Sequence, residues 1–236
     1  VAGAVVSAEG GTAFGDVAAR LGEVRQRIAA VGGDPSSVRV VAVTKGLPGA
    51  AAAAAVAAGC RELGENYADE LVAKAAGLRE AAAGAAVRWH LIGGIQRRSL
   101  ARLAPFVSLY ETVDRLEEGV AICRHAPGAA VLVEVDTTGL AGRGGVAPDE
   151  APRLVEDLAA LGLDVEGLMT VAAPGDDDRA RRSFARISSL VAELGLREAS
   201  MGMSDDFELA VAEGSTMIRV GRALFGPRPT RTAIPE

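Results

Sequence analysis

Short apolar runs alternate along this chain with longer stretches in which apolar residues recur every three or four positions. Phe14, Val17, Leu21, Val24, Ile28 and Val31 carry the second spacing, which predicts a helix over Thr12–Val31 closed by Gly32-Gly33-Asp34-Pro35. Val38–Thr44 is almost continuously apolar, as in a strand buried on both faces of a parallel sheet. The pair then repeats. Further strands are predicted at Arg61–Gly64, Val87–Gly93, Val107–Val113, Ala129–Val135, Val165–Met169, Glu198–Met201 and Met217–Val220. Between them lie predicted helices at Ala50–Ala58, Tyr67–Ala83, Arg97–Ala104, Arg115–Arg124, Pro148–Leu161, Arg179–Leu194 and Asp205–Ala212. Asp176-Asp177-Asp178 stands where negative charge complements a helix dipole, and reads as a solvated helix start rather than a metal site. Such alternation means an α/β fold with a parallel sheet, and its eight repeats favour a single closed (β/α)8 TIM barrel over an open doubly wound sheet.

No linker divides the 236 residues. The expected organisation is a frayed N-terminal segment over 1–11, one barrel over 12–226, and an unpacked tail over 227–236 that holds three prolines. Aromatic residues make up only 3% of a chain that is 49% hydrophobic, so the core must be built from Ala, Val, Leu and Ile. A net charge of −6 argues against a nucleic-acid surface, which needs a basic face. No apolar run approaches the ~20 residues of a membrane span, and the N-terminus lacks a signal-peptide layout, so a cytoplasmic protein is expected. Cys60 and Cys123 have no metal-ligand spacing. A reduced protein is the simplest account, and a single disulfide stays open.

In a barrel of this kind, functional groups gather at the C-terminal strand ends. Lys45 closes the first strand, before the turn Gly46-Leu47-Pro48. It is either a solvated strand end or an amine beside low-dielectric neighbours, poised for a Schiff base. Ser200 and Ser204 bracket Gly202, and Ser204-Asp205-Asp206 opens a helix. Ser204 is thus an N-cap or part of an anion site, with Gly221 offering a second backbone approach. Arg219 stands within an otherwise apolar strand and needs a partner: an ion pair inside the barrel, or a heteroatom of a ring ligand. His90 is a packed, hydrogen-bonded group or a general base. Asp114-Arg115, Asp136 and Arg143 read as structural pairs or loop anchors. There is no Ser/His/Asp arrangement and no zinc-ligand spacing.

Six motifs occur in order: Ala42-Val43-Thr44-Lys45, Gly64-Glu65-Asn66-Tyr67, Trp89-His90-Leu91-Ile92-Gly93, Gly167-Leu168-Met169-Thr170, Ser200-Met201-Gly202-Met203-Ser204-Asp205-Asp206 and Ile218-Arg219-Val220-Gly221. Together they resemble the pyridoxal phosphate homeostasis protein family, over roughly Val17 to Gly226. The resemblance implies a barrel like the N-terminal domain of fold-type III alanine racemases. It implies pyridoxal 5'-phosphate (PLP) as cofactor, held as a Schiff base on Lys45. Phosphate contacts would come from Ser200, Gly202 and Ser204 and from the Gly221 loop, Arg219 would approach the pyridine nitrogen, and Asn66 and Met169 would line the pocket. Three positions depart from the family pattern: Leu47 and Ser99 stand where lysines are usual, and Arg222 replaces a small threonine, either adding a phosphate contact or crowding the site. The implied function is a monomeric PLP carrier for intracellular homeostasis, with PLP-dependent apo-enzymes as recipients and no robust turnover, because the second-domain tyrosine of the racemases has no counterpart here. A rival from the enzyme class is a small racemase or lyase using Lys45 as base with His90 or a water as partner. A third reading is an interaction module that has lost PLP.

Overall fold

The computed structural model describes residues 14–81 and 86–227. The expected segment 1–11 and, apart from Pro227, the expected tail lie outside these residues, as do 12–13 and 82–85. Eight parallel strands close into a barrel in chain order: β1 (Arg39–Val43), β2 (Glu62–Glu65), β3 (Arg88–Leu91), β4 (Val107–Val113), β5 (Ala130–Glu134), β6 (Asp164–Met169), β7 (Glu198–Ser200) and β8 (Met217–Val220). The fold is the (β/α)8 barrel that the alternation predicts. β8 returns to β1 with Val40 opposite Ile218 and Val41 opposite Arg219, and this closure removes the free sheet edge.

Helix α1 (Val17–Ala30) precedes β1. The crossovers carry α2 (Gly49–Ala57), α3 (Ala68–Ala81), α4 (Leu100–Leu103, entered through a 3-10 turn at Arg97–Ser99), α5 (Leu116–His125), α6 (Ala151–Ala160), α7 (Asp177–Glu193) and α8 (Phe207–Ala212). Helix α7 begins two residues before the expected Arg179, because the Asp176 carboxylate accepts the Arg179 N–H at 2.9 Å and caps the first turn. A last helix, α9 (Arg222–Phe225), was not expected; a single turn leaves too little periodicity to read. Its Phe225 ring packs edge-on against Phe14, with centroids 6.1 Å apart.

Side chains alternate across each strand. One set, including Ala42, Leu63, Leu91, Val133, Leu168, Ile218 and Val220, packs with the helix residues Leu21, Ile28, Leu71, Leu158, Phe184 and Ile187 in the main core. The fully buried Ala51, Ala52 and Ala55 let α2 lie close to the sheet. The apolar cluster inside the barrel is small: Val41, Leu109, Leu132, Met169 and Met217.

Charged groups occupy much of the remaining interior. Near the N-terminal strand ends Arg39 meets Glu198 at 2.8 Å, and Arg39 and Arg88 stand 3.7–3.9 Å from Glu62 and Glu166. His90, wholly buried, lies between two carboxylates, with Nε2 and Nδ1 each 2.5 Å from an oxygen of Glu62 and Glu111 respectively. The other Glu111 oxygen accepts the Ser200 hydroxyl at 2.6 Å, and Arg219 Nη1 donates to that same Ser200 oxygen at 2.7 Å. Arg219 Nη2 donates to the Thr170 carbonyl at 2.7 Å. A line of paired charges and hydrogen bonds therefore climbs the barrel axis from Arg39 to Arg219.

Burial alone would push His90 down, but its bonds to Glu111 and Glu62 outweigh that and raise its pKa above the usual 6.5. Burial likewise works to raise Glu111, and the opposing His90 and Arg219 charges hold it below the ordinary carboxylate value. Replacing Glu111 with Gln leaves buried cations short of their counter-charge and should cost about 3–5 kcal/mol, read as a lower urea midpoint. Folded His90 binds its proton more tightly than the unfolded chain does. Its stabilisation is therefore complete below 6.5 and declines as pH rises through the raised folded value. Urea midpoints across a pH series should show this alkaline decline, and His90→Gln should remove it.

Candidate functional site

The C-terminal strand ends surround a cavity of about 280 Å³, at the small end of the ~300–1,000 Å³ range of ligand pockets. Its wall comes from Val43 and Lys45 after β1, Glu134 of β5, Met169 of β6, the Met203-Ser204-Asp205 turn after β7, and Arg219, Gly221 and Arg222 at the end of β8. The structure thus brings together five of the residues singled out in the sequence: Lys45, Met169, Ser204, Arg219 and Gly221. Asn66, Ser200 and Gly202 do not line this cavity.

Local geometry explains both outcomes. Lys45 is half-buried, and the turn that follows uses Gly46 at φ +72°, with the Leu47 N–H bonded to the Thr44 carbonyl at 3.0 Å. Ser204 does not cap α8. Its hydroxyl oxygen accepts the N–H groups of Gly221 at 3.3 Å and Ala223 at 3.1 Å, tying the turn after β7 to the start of α9. The turn itself is held by the Asp206 carboxylate, which accepts the Met203 N–H at 2.6 Å. Gly202 lies behind it at φ +92°, where a Cβ would stand 2.6 Å from the Ala210 Cβ. At Gly221 an added Cβ would meet the Val43 carbonyl oxygen at 3.3 Å, so the missing side chain lets β8 run close to β1.

The remaining expected residues have other surroundings. Ser200 is wholly buried beneath the cavity, with its hydroxyl engaged by Glu111 and Arg219. Asn66 belongs to a separate pocket of about 130 Å³ with Tyr67 and Gln96, and its buried Oδ1 has no hydrogen-bond partner. His90 is locked between Glu62 and Glu111 and does not line the cavity. Of the two departures from lysine, Leu47 is half-buried after the Gly46 turn and Ser99 is buried in the 3-10 turn before α4.

Glu134, and the pairing of Asp205 with Arg222, are not read from the sequence. Glu134 ends β5 two residues after the inward Leu132, so strand alternation alone places it inside. Its pKa is raised, chiefly by burial and next by the Asp114 charge, against the pull of Arg219. Arg222, at the exposed rim, is ion-paired with Asp205. That contact joins the turn after β7 to the start of α9, and no local pattern announces it. Among the described residues no group of three or more His, Cys, Asp or Glu is placed to hold a metal ion, and no helix is long and apolar enough to cross a membrane. With Arg222 paired to Asp205, the wall sets the Lys45 amine, the Arg219 guanidinium, a hydroxyl and close backbone against the one carboxyl of Glu134, a balance that suits a small anionic ligand with an electrophilic carbonyl.

A family model described as alanine racemase, N-terminal domain, matches residues 18–229. A curated relative, the pyridoxal phosphate homeostasis protein of Pseudomonas aeruginosa, is 39% identical over 220 residues, covering 90% of this chain and 93% of its own. The chain belongs to the pyridoxal phosphate homeostasis protein family. The solved structure of PipY from Synechococcus elongatus with PLP bound superposes with a TM-score of 0.77 at 32% identity, covering 89% of this chain and all of PipY. Alanine racemase from Corynebacterium glutamicum shares the fold, with a TM-score of 0.66 at 20% identity over 92% of this chain and 62% of the racemase.

The positive φ and the tight space at Gly202 hold the turn that carries Ser204. Gly202→Ala should lower stability by at least about 1–2 kcal/mol, the ordinary cost of a left-handed alanine, with the clash at Ala210 in addition. Thermal unfolding of the purified variant measures this.

Proposed function

We propose that this protein binds PLP through Lys45 and acts as a monomeric cytoplasmic carrier that buffers the cofactor for apo-enzymes, without robust turnover of its own. The observation that carries this reading is the meeting of Lys45 with Arg219, Ser204 and Gly221 around one cavity. The name of the Pseudomonas relative and the PLP-bound state of PipY support it. PLP, when bound, supplies an aldehyde that condenses with a primary amine, releasing one water, and an anionic phosphate. Lys45 is the amine on the wall. Ser204 and the close-packed Gly221 backbone form a small polar corner, with the Arg222–Asp205 ion pair at its rim.

Arg219 is a donor-only cation held in place by Ser200 and Thr170. Facing a ring nitrogen, it would favour the unprotonated form, which weakens the ring as an electron sink and suits holding over turnover. Proton exchange on both faces of a substrate needs two acid/base groups, and His90 is unavailable as the second because both its nitrogens are engaged beneath the cavity. The thiols of Cys60 and Cys123 are unpaired, which suits a reducing compartment.

Glu134 favours a second reading, racemase or lyase chemistry on amino acids, since a half-buried carboxyl with a raised pKa shares the cavity with Lys45. Steady turnover by pure protein, abolished in Glu134→Gln, would decide for it.

The test of the carrier reading is spectroscopic. Protein mixed with PLP should show a band near ~420 nm that borohydride removes, and Lys45→Ala should show none. A wild-type protein that gives no such band would overturn the reading.

A further inference from the structure

Lys45 and Lys74 are the only lysines in the sequence. Lys74 lies on α3, outside the barrel, with its side chain 7% exposed. An ammonium has three N–H donors. Three acceptors surround this one: the Thr44 carbonyl at 2.8 Å, Glu65 Oε1 at 2.7 Å and Glu70 Oε2 at 3.0 Å. The same Glu65 oxygen accepts the Thr44 hydroxyl at 2.5 Å, and the same Glu70 oxygen accepts the Gly46 N–H at 2.7 Å. The peptide groups on both sides of Lys45 are therefore bonded to one charged cluster.

From this geometry we infer that Lys74 is a positioning residue for Lys45, with Glu65 and Glu70 as its relays, and is not a second amine for the cofactor. The inference rests on the PLP reading above. Three features separate it from a tie that merely fastens α3 to the sheet. Lys74 reaches past its own neighbours to the main chain of the Lys45 turn. Glu70 stands at a helix surface yet spends an oxygen on the Gly46 amide. Burial would raise the Glu70 pKa, but the Gly46 amide and Lys74 outweigh it and keep that pKa low, so the acceptor stays charged. Gly46 at φ +72° has a flexible backbone that needs such an anchor for the lysine before it to hold one direction. Lys74 is held by three acceptors and does not line the cavity, so Lys45 is the one side-chain amine on its wall.

The experiment uses the full chain with PLP as the probe. PLP affinity is read from the ~420 nm band, and the modified lysine from peptide mapping after borohydride. Lys74→Met and Glu70→Ala should each weaken PLP binding about tenfold or more, the loss expected for a charged hydrogen bond that aims the amine. Glu70→Gln, which keeps an oxygen for the Gly46 N–H, should restore most of that loss. Leu154→Ala, a core truncation on the distant α6, serves as a control of lowered melting temperature and should bind PLP like wild type. The borohydride label should fall on Lys45 alone. Wild-type affinity in both Lys74→Met and Glu70→Ala would overturn the inference, as would an equal loss in Leu154→Ala, a Glu70→Gln as weak as Glu70→Ala, or label on Lys74. If Lys74→Met does not fold, the two Glu70 variants carry the test. A wild-type protein with no band would overturn the PLP reading and this inference with it, whereas a normal wild-type band with unaffected variants would overturn only the inference.

Discussion

A charge enclosed in a barrel has to be neutralised from within, and Arg219 imposes that condition on the whole interior. Its guanidinium sits on β8, nearly without solvent contact, where burial works against the charged form. Glu111 answers it through Ser200, His90 answers Glu111, and Glu62 answers His90. Below them the arginine and glutamate layer at the strand starts completes the series. The apolar cluster inside the barrel is accordingly small, and most hydrophobic burial is transferred to the layer between strands and helices. Such a network adds little net stability over an apolar filling, but each member is costly to remove singly. What it provides is a fixed direction for one cation at the floor of a cavity.

The cavity is held from two sides by different means. On the inner side, the axial network fixes Arg219. On the outer side, the Glu65, Lys74 and Glu70 cluster grips the turn that carries Lys45. Barrel closure brings the two together, since the pairing of β1 with β8 sets Val41 beside Arg219. Ser204 then links the turn after β7 to the backbone after β8. The groups that face a ligand are few, and each rests on a bonded layer behind it, the condition for a preorganised site.

The β/α alternation made the fold legible without any tertiary information. Val38–Thr44 and Ala129–Val135 are apolar runs long enough to be strands and too short for helices, and the spacing from Phe14 to Ile28 admits only a helix. The convergence of Lys45, Met169, Ser204, Arg219 and Gly221 on one rim is equally legible, because strand ends on one face of a barrel meet whatever else the chain does. Ser200, by its sequence position part of the same rim, lies one layer lower, where its hydroxyl serves Glu111 and Arg219. Asn66 stands in a separate pocket, and His90 is held between two carboxylates rather than available as a base.

The sequence by itself therefore determined the element order, the closed barrel and the residues that rise to its C-terminal face, because those depend on local periodicity and on a strand's parity. It also carried the family's motifs in register. Only the tertiary structure decided which polar side chains are spent on one another. Glu111 with His90, Lys74 with the Thr44 carbonyl, Ser204 with the Gly221 amide and Arg222 with Asp205 are contacts between segments distant in the chain. A hydrogen bond has a range of about 3 Å, so its partner is set by three-dimensional proximity and leaves no trace in the spacing of residues along one strand or helix.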